Sequence, residues 1–212
     1  MKHLLFYALK QAPILIYLLY SIQYDMSKPQ KFPIALLAGA GIAAGLIFYK
    51  SVTSVSIPRG AKAVSPFDAE KYLGKWYEIA RLDYKFEKNL NNVTATYSKN
   101  ENGSIRVDNK GFNYQSQEWK ESVGKARFVN SPEEGRLKVS FFGPFYAGYN
   151  VIALDADYQY ALVAGDNLNY MWILSRETTI PDHIKENYLE IARQIGFDTS
   201  KLIWTDHSEA IA

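Results

Sequence analysis

From residue 74 onward, the chain alternates between short runs rich in β-branched and aromatic residues and clusters of turn-forming residues. Runs of this kind at regular spacing are typical of an all-β barrel or sandwich. Asn102-Gly103, between two of the runs, is a strong signal for a tight hairpin. The pattern predicts eight antiparallel strands: Gly74–Asp83, Asn92–Lys99, Ser104–Phe112, Trp119–Val129, Arg136–Phe142, Gly148–Asp155, Gln159–Gly165 and Tyr170–Arg176.

The hydrophobic period changes near the C-terminus. Between Pro181 and Ile195, apolar side chains recur every three to four residues, which predicts an amphipathic helix. Gly196 is expected to end this helix, because glycine readily adopts the left-handed conformation of a C-terminal cap. Leu202–Thr205 is predicted to be a last short strand.

Residues 32–49 form an apolar run of 18 residues without charge. As a helix it would span roughly 27 Å, close to the hydrocarbon thickness of a bilayer. We predict a retained transmembrane or signal-anchor helix, with a cleaved signal peptide as the alternative. We expect residues 1–31 to be a leader, in which Met26 begins a conventional anchor; residues 1–25 are then an upstream extension or a second, marginal span. Residues 50–65 are predicted to be a linker and residues 66–212 a separate domain.

Charge and cysteine content narrow the function classes. Residues 1–62 carry seven Lys/Arg and one acid, whereas residues 63–212 carry 17 Lys/Arg and 21 Asp/Glu. A mildly acidic domain argues against a nucleic-acid partner, and a basic N-terminal segment suits an anionic membrane surface. The chain has no cysteine, which excludes disulfides, thiolate catalysis and cysteine-based metal sites.

Three separated stretches resemble the signatures of the lipocalin family, in particular its bacterial, apolipoprotein D-like branch. They are the motif Gly74-Lys75-Trp76-Tyr77-Glu78-Ile79-Ala80-Arg81, the turn Asp155-Ala156-Asp157-Tyr158-Gln159-Tyr160, and Arg176. The turn departs from the family pattern at its first, threonine-like position. Many bacterial members are anchored by an acylated cysteine, which this chain lacks. The resemblance implies an all-β fold class: an eight-stranded antiparallel up-and-down barrel with a C-terminal α-helix, preceded here by the N-terminal membrane helix.

Each hairpin of such a barrel reverses the chain direction, so strand counting assigns the loops to its two ends. Gly74, Trp76, Asp157, Tyr158 and Arg176 are expected to meet at the closed end, where the resemblance gives them a structural role. Four loops then surround the open end: Tyr84–Leu90, Phe112–Glu118, Gly143–Ala147 and Gly165–Asn169. The first and third carry Tyr84, Phe86, Leu90, Phe145 and Tyr146, which suit delivery of ligand from a membrane or, equally, pack on one another as a rim.

The resemblance also implies a lipid in the barrel lumen. It points to Tyr97, Asn109 and Asn150 as lumen-facing residues, and strand alternation adds Ile152, Phe141 and, more loosely, Val107 and Val139. The expected partners are a fatty acid or lysophospholipid and a membrane. A homodimer is a further candidate, because Gly41 and Gly45 could pack two membrane helices together. The domain is expected to face the periplasm or the cell exterior.

We predict no catalytic residues, no metal site and no cofactor. Glu78 should alternate inward with Trp76, and we expect its carboxylate to pair with an arginine or lysine inside the barrel. Two alternatives stay open: a lipocalin-fold enzyme or isomerase that uses Glu78, and a structural envelope or dimerisation module whose lumen is filled by its own side chains.

Overall fold

The computed structural model describes residues 54–82 and 87–208. A short helix, α1 (Ala69–Tyr72), precedes the strands, and the helix α2 (Asp182–Ile195) and a 3₁₀ turn (Thr199–Lys201) follow them. The strands are β1 (Gly74–Leu82), β2 (Leu90–Lys99), β3 (Ile105–Asn113), β4 (Glu118–Phe128), β5 (Arg136–Phe142), β6 (Phe145–Leu154), β7 (Tyr160–Ala164), β8 (Met171–Ser175) and β9 (Leu202–Trp204).

Strands β1 to β8 close into an antiparallel barrel. Each pairs with its neighbour in sequence, and β8 pairs with β1. The N-terminal half of β1 also pairs with β2, from Gly74 opposite Tyr97 to Tyr77 opposite Thr94. The C-terminal half of β1 pairs with β9 instead, with Ala80 opposite Trp204. The predicted barrel and C-terminal helix are therefore confirmed.

The helix α2 covers the outer face of the barrel with the apolar stripe predicted from the sequence. Tyr188, Leu189 and Ala192 are buried on it and pack against strand residues such as Leu162 and Ile173. Gly196 ends the helix at a φ of 106°, and its N–H donates to the carbonyls of residues 192 and 193. A second core, inside the barrel, contains Trp76, Tyr97, Val107, Val151 and Val163.

Two β-bulges change which residues face the lumen. The pairing register shifts between Glu78 and Ala80 in β1, and between Val151 and Ala153 in β6. At each bulge two consecutive residues pack under the helix: Ile79 with Ala80, and Ile152 with Ala153. Simple alternation therefore fails beyond each bulge.

The predicted leader and membrane helix, residues 1–49, lie outside the described residues. Among those that are described, no helix has the length and apolarity needed to cross a membrane.

Candidate functional site

Arg176 closes one end of the barrel together with Trp76. The guanidinium lies 3.8 Å from the centre of the indole ring. It donates to the carbonyls of Lys75 at 2.8 Å and of Lys71 and Leu73 at 2.9 Å, and so holds the chain that enters β1. Desolvation lowers the pKa of Arg176, but an arginine remains cationic at neutral pH. The clamp implied by the resemblance is present.

The neighbouring signature residues also have structural roles. Gly74 has a φ of 93°, in the left-handed region that favours glycine. The Tyr158 hydroxyl accepts a hydrogen bond from the N–H of Asp68 at 2.8 Å. Asp157 is exposed, and the carboxylate of Asp155 organises the turn by accepting backbone N–H groups of residues 157, 159 and 160. All of these residues lie at the closed end, as strand counting predicted.

Three tyrosine hydroxyls meet above this clamp. Tyr97 donates to the Tyr149 hydroxyl at 2.9 Å, and the Tyr72 and Tyr149 hydroxyls are 2.7 Å apart. Burial raises the pKa of all three above the ordinary value for tyrosine, so they stay neutral. The two hydrogen bonds within the cluster use two of its three protons. Of this tyrosine floor, only Tyr97 was predicted from the sequence.

The wall above the tyrosine floor is mostly apolar and includes the amide of Asn109. Val107, Val139 and Phe141 belong to the lumen core, as predicted, and the Phe141 ring lies over Gly124. Asn109 lies opposite Ala95, another lumen residue, and therefore also faces inward. Its Oδ1 atom is buried and accepts no hydrogen bond from the described residues.

The predictions that Asn150 and Ile152 face the lumen are wrong. Ile152 packs in the cluster under the helix. Asn150 is buried on the outer face, where its Nδ2 donates to the carbonyls of Ser56, Ala164 and Gly165. Their neighbours Tyr149 and Val151 face inward instead. An offset of one residue moves every side chain of a strand segment to the opposite face.

Glu78 forms a buried ion pair with Arg81, as the sequence led us to expect. The bulge between them places both residues opposite lumen residues of β8, namely Leu174 and Trp172. The two side chains are 3% and 1% exposed. The same carboxylate oxygen of Glu78 accepts from Arg81 and, at 2.6 Å, from the Thr205 hydroxyl. This carboxylate is therefore engaged, which disfavours Glu78 as a catalytic base.

Arg81 also organises the mouth of the barrel. Its second terminal nitrogen donates to the carbonyls of Glu87 at 2.7 Å and Leu90 at 3.2 Å. The indole N–H of Trp172 donates to the Glu87 carboxylate at 3.1 Å. Sequence reasoning missed this role of Arg81 and Trp172, since only the bulge in β1 directs Arg81 inward.

The open end carries exposed apolar side chains. Phe142 and Phe145, at the tip of the β5–β6 hairpin, are 73% and 50% exposed. Tyr114 and Leu168 in two neighbouring loops are exposed as well. Leu90 and Tyr146 are half-buried, and the predicted rim residues Tyr84 and Phe86 lie outside the described residues. We call Tyr114, Phe142, Phe145 and Leu168 the apolar rim.

No metal centre is visible in the part of the chain that the structure describes: residues 54–82 and 87–208 contain no group of three or more His, Cys, Asp or Glu side chains that could hold an ion. The lumen is lined mainly by apolar and aromatic residues, and its polar groups include the Asn109 amide, the tyrosine hydroxyl cluster and the buried Glu78–Arg81 ion pair. This chemistry suits an amphiphilic ligand more than a reacting substrate.

A closed eight-stranded antiparallel barrel, a tryptophan–arginine clamp at one end and an apolar lumen define a lipocalin. The profile of the family described as "Lipocalin-like domain" matches residues 67–207. The chain therefore belongs to the lipocalin family.

The relatives of this chain include bacterial and animal proteins. The outer membrane lipoprotein Blc of Escherichia coli is 52% identical over 168 residues, which cover 79% of this chain and 94% of that protein. Apolipoprotein D of Mus musculus is 34% identical, over 67% of this chain and 78% of that protein. Among solved structures, insecticyanin from Manduca sexta superposes with a TM-score of 0.60 at 21% identity and covers 74% of this chain and 89% of its own, a likeness of fold.

Proposed function

We propose that this protein is a lipid-binding lipocalin of the cell envelope, which holds a fatty acid or a lysophospholipid in the barrel lumen for storage or transport. The observation that carries the proposal is the lining of the lumen. Val107, Val139 and Phe141 form an apolar wall above the tyrosine floor. Asn109, Val139 and Phe141 are only half-buried, so the upper lumen is not filled by its own side chains.

An acyl chain in this space would gain enough energy to bind. Each buried methylene contributes about 0.8 kcal/mol, so about 14 methylenes contribute about 11 kcal/mol before the cost of ordering the chain. A remainder of about 8 kcal/mol corresponds to a micromolar Kd. The unpaired Oδ1 of Asn109 would accept a hydrogen bond from a hydroxyl or amide group of the ligand, and the polar head would stay near the mouth.

We infer the cellular location from the relatives. Blc is named as an outer membrane lipoprotein, and we propose that this chain also works at a membrane of the envelope. Since the chain has no cysteine to acylate, we assign the anchoring role to the apolar segment at residues 32–49, with the domain outside the cytoplasm. The homodimer through Gly41 and Gly45 stays a prediction.

Displacement of a fluorescent fatty acid tests the proposal. A protease site at residues 50–53 would release the barrel after the full-length protein has folded in its membrane. Val139→Asp places a carboxylate on the lumen wall and should weaken binding at least tenfold. Val123→Asp makes the same change at a position of β4 that is 52% exposed and should leave binding unchanged. Equal affinities in the two variants, or no binding by the wild type, would refute a lumenal site.

A further inference from the structure

The segment before the barrel is bound to the outer wall near the open end. The N–H of Ser56 donates to the Asp166 carboxylate at 2.7 Å, and its hydroxyl donates to the Asp166 carbonyl at 2.8 Å. The Ser56 carbonyl accepts from Asn150 at 3.1 Å. Ser56 is therefore held in place by its polar contacts with Asp166 and Asn150.

The barrel wall is shaped to receive this segment. Asn150 is fully buried beneath it. At Gly148, a Cβ atom would come within 2.8 Å of both the Ser56 carbonyl and the Asp166 carboxylate. The N–H of Gly148 donates to the same carboxylate at 2.8 Å. Since a side chain at residue 148 would displace the segment, the contact is a defined docking position.

The described chain begins beside the open end of the barrel. Asp166 lies in the β7–β8 loop, at the open end of the barrel. Eight residues after Ser56, Val64 bonds to Val151 and to Gly135, which belongs to a closed-end loop. The described chain thus runs from the mouth toward the closed end, and it begins two residues before Ser56, which is bound at the mouth.

The apolar rim lies at this same end. Phe142 and Phe145 project at a hairpin tip, and Leu168 lies in the same loop as Asp166. Exposed aromatic side chains at one end of a domain are expensive in water and favourable in the interface of a bilayer. The described chain therefore begins at the same end of the barrel as the exposed apolar surface.

We propose that the open mouth of the barrel faces and touches the membrane that holds the N-terminal segment, with Phe142 and Phe145 inserted at the lipid surface. The inference rests on the proposed function only in taking residues 32–49 as the anchor. Six residues lie between Tyr49 and Ser56, and a fully extended link of seven residue steps reaches at most about 25 Å. With the closed end on the membrane, this short link would have to run extended along the barrel wall. With the mouth on the membrane, lipid passes between bilayer and lumen without crossing water.

Single-cysteine labelling of the full-length protein tests the orientation, because the chain has no cysteine of its own. Phe145→Cys places a fluorophore on the rim, and Asn102→Cys places one in the β2–β3 turn at the closed end. The protein is reconstituted in phosphatidylcholine vesicles whose acyl chains carry a quencher in both leaflets. We expect the rim label to be quenched at least threefold more than the closed-end label. Equal quenching, or stronger quenching at residue 102, would overturn the proposal.

A second pair of variants tests the docked segment without touching the barrel. Ser56→Pro removes the N–H and hydroxyl that bind Asp166, whereas Ser54→Pro makes the same change at an exposed residue nearby. Quenching of the rim label should fall at least twofold in the first variant and stay unchanged in the second. Equal quenching in both would exclude the docked segment as the orienting element. Fatty-acid displacement on the same preparations separates this proposal from the proposed function. If the rim label is quenched but the barrel binds no lipid, the membrane-facing orientation stands and the lipid-binding function is refuted.

Discussion

Replacement of Arg176 by alanine should loosen the closed end of the barrel more than any surface substitution. The change removes five hydrogen bonds to backbone carbonyls, and the three to Lys71, Leu73 and Lys75 are 2.8–2.9 Å long. Each such bond contributes about 0.5–1.5 kcal/mol net, and values at the lower end are appropriate because Arg176 is only half-buried. The stacking on Trp76 adds about 0.5–2 kcal/mol. We expect a loss of about 3 kcal/mol in the free energy of unfolding.

Urea unfolding of the full-length protein in mild detergent, followed by tryptophan fluorescence, measures this loss. Arg176→Lys keeps the charge but not the planar fork of donors and should lie between alanine and wild type. Arg193→Ala serves as the matched control, because Arg193 is exposed and pairs with the exposed Glu190 on α2. If Arg176→Ala unfolds at the same urea concentration as Arg193→Ala, the clamp does not stabilise the barrel and our account of the closed end is wrong.

Three further predictions concern the lumen. Arg81→Met leaves the Glu78 carboxylate buried without its partner and should cost about 3–5 kcal/mol of unfolding free energy. The double variant Arg81→Met with Glu78→Gln should recover at least half of this loss. Additive losses of the two single variants would contradict the ion pair. Tyr149→Phe removes the hydroxyl that joins the tyrosine floor and should lower the free energy of unfolding by about 1–2 kcal/mol. Tyr114→Phe on the rim should not change it measurably. Equal effects of the two variants on thermal unfolding would count against the hydrogen-bond network. Burial raises the pKa of Tyr149, so the folded barrel holds that proton more tightly than the unfolded chain, and its stabilisation is complete below about pH 10 and lost as the pH rises further. The melting temperature of the wild type should therefore fall more steeply between pH 9 and 11 than that of Tyr149→Phe, and parallel curves would refute the pKa assignment.

The closed end could be predicted from the sequence because its parts are fixed by chain direction. Trp76 lies near the start of the first strand and Arg176 follows the eighth, so an even number of strands returns the chain to the same end whatever the exact strand bounds are. The observed bounds differ from the predicted ones by up to three residues, as at β6, which begins at Phe145 rather than Gly148. Such shifts leave the ends of the barrel unchanged.

The residues that line the lumen were harder to predict, since a shift of one residue moves a side chain from one face of a strand to the other. The bulge in β6 places both Ile152 and Ala153 under the helix, and Asn150 binds the incoming chain on the outer wall. In β1, a bulge of the same kind brings Arg81 inward beside Glu78. Nothing in the local pattern marks either bulge, because all the residues involved in β6 are plausible on both faces.

The docked segment at Ser56 could not be predicted for a different reason. Its proline, glycine and small residues are typical of a flexible linker. Its binding depends on Asp166 and Asn150, which are 110 and 94 residues away in the sequence. Contacts at such separation leave no periodic signal along the chain.

Native mass spectrometry of the barrel, released from the folded full-length protein, tests the central claim most directly. We predict a population that carries one long-chain fatty acid or lysophospholipid per barrel. Fatty acid added in excess should displace this lipid. The lipid should be lost from Val139→Asp and retained by Val123→Asp. A barrel that leaves the membrane only as bare polypeptide and takes up no added fatty acid would contradict the account of the lumen as a lipid-binding site.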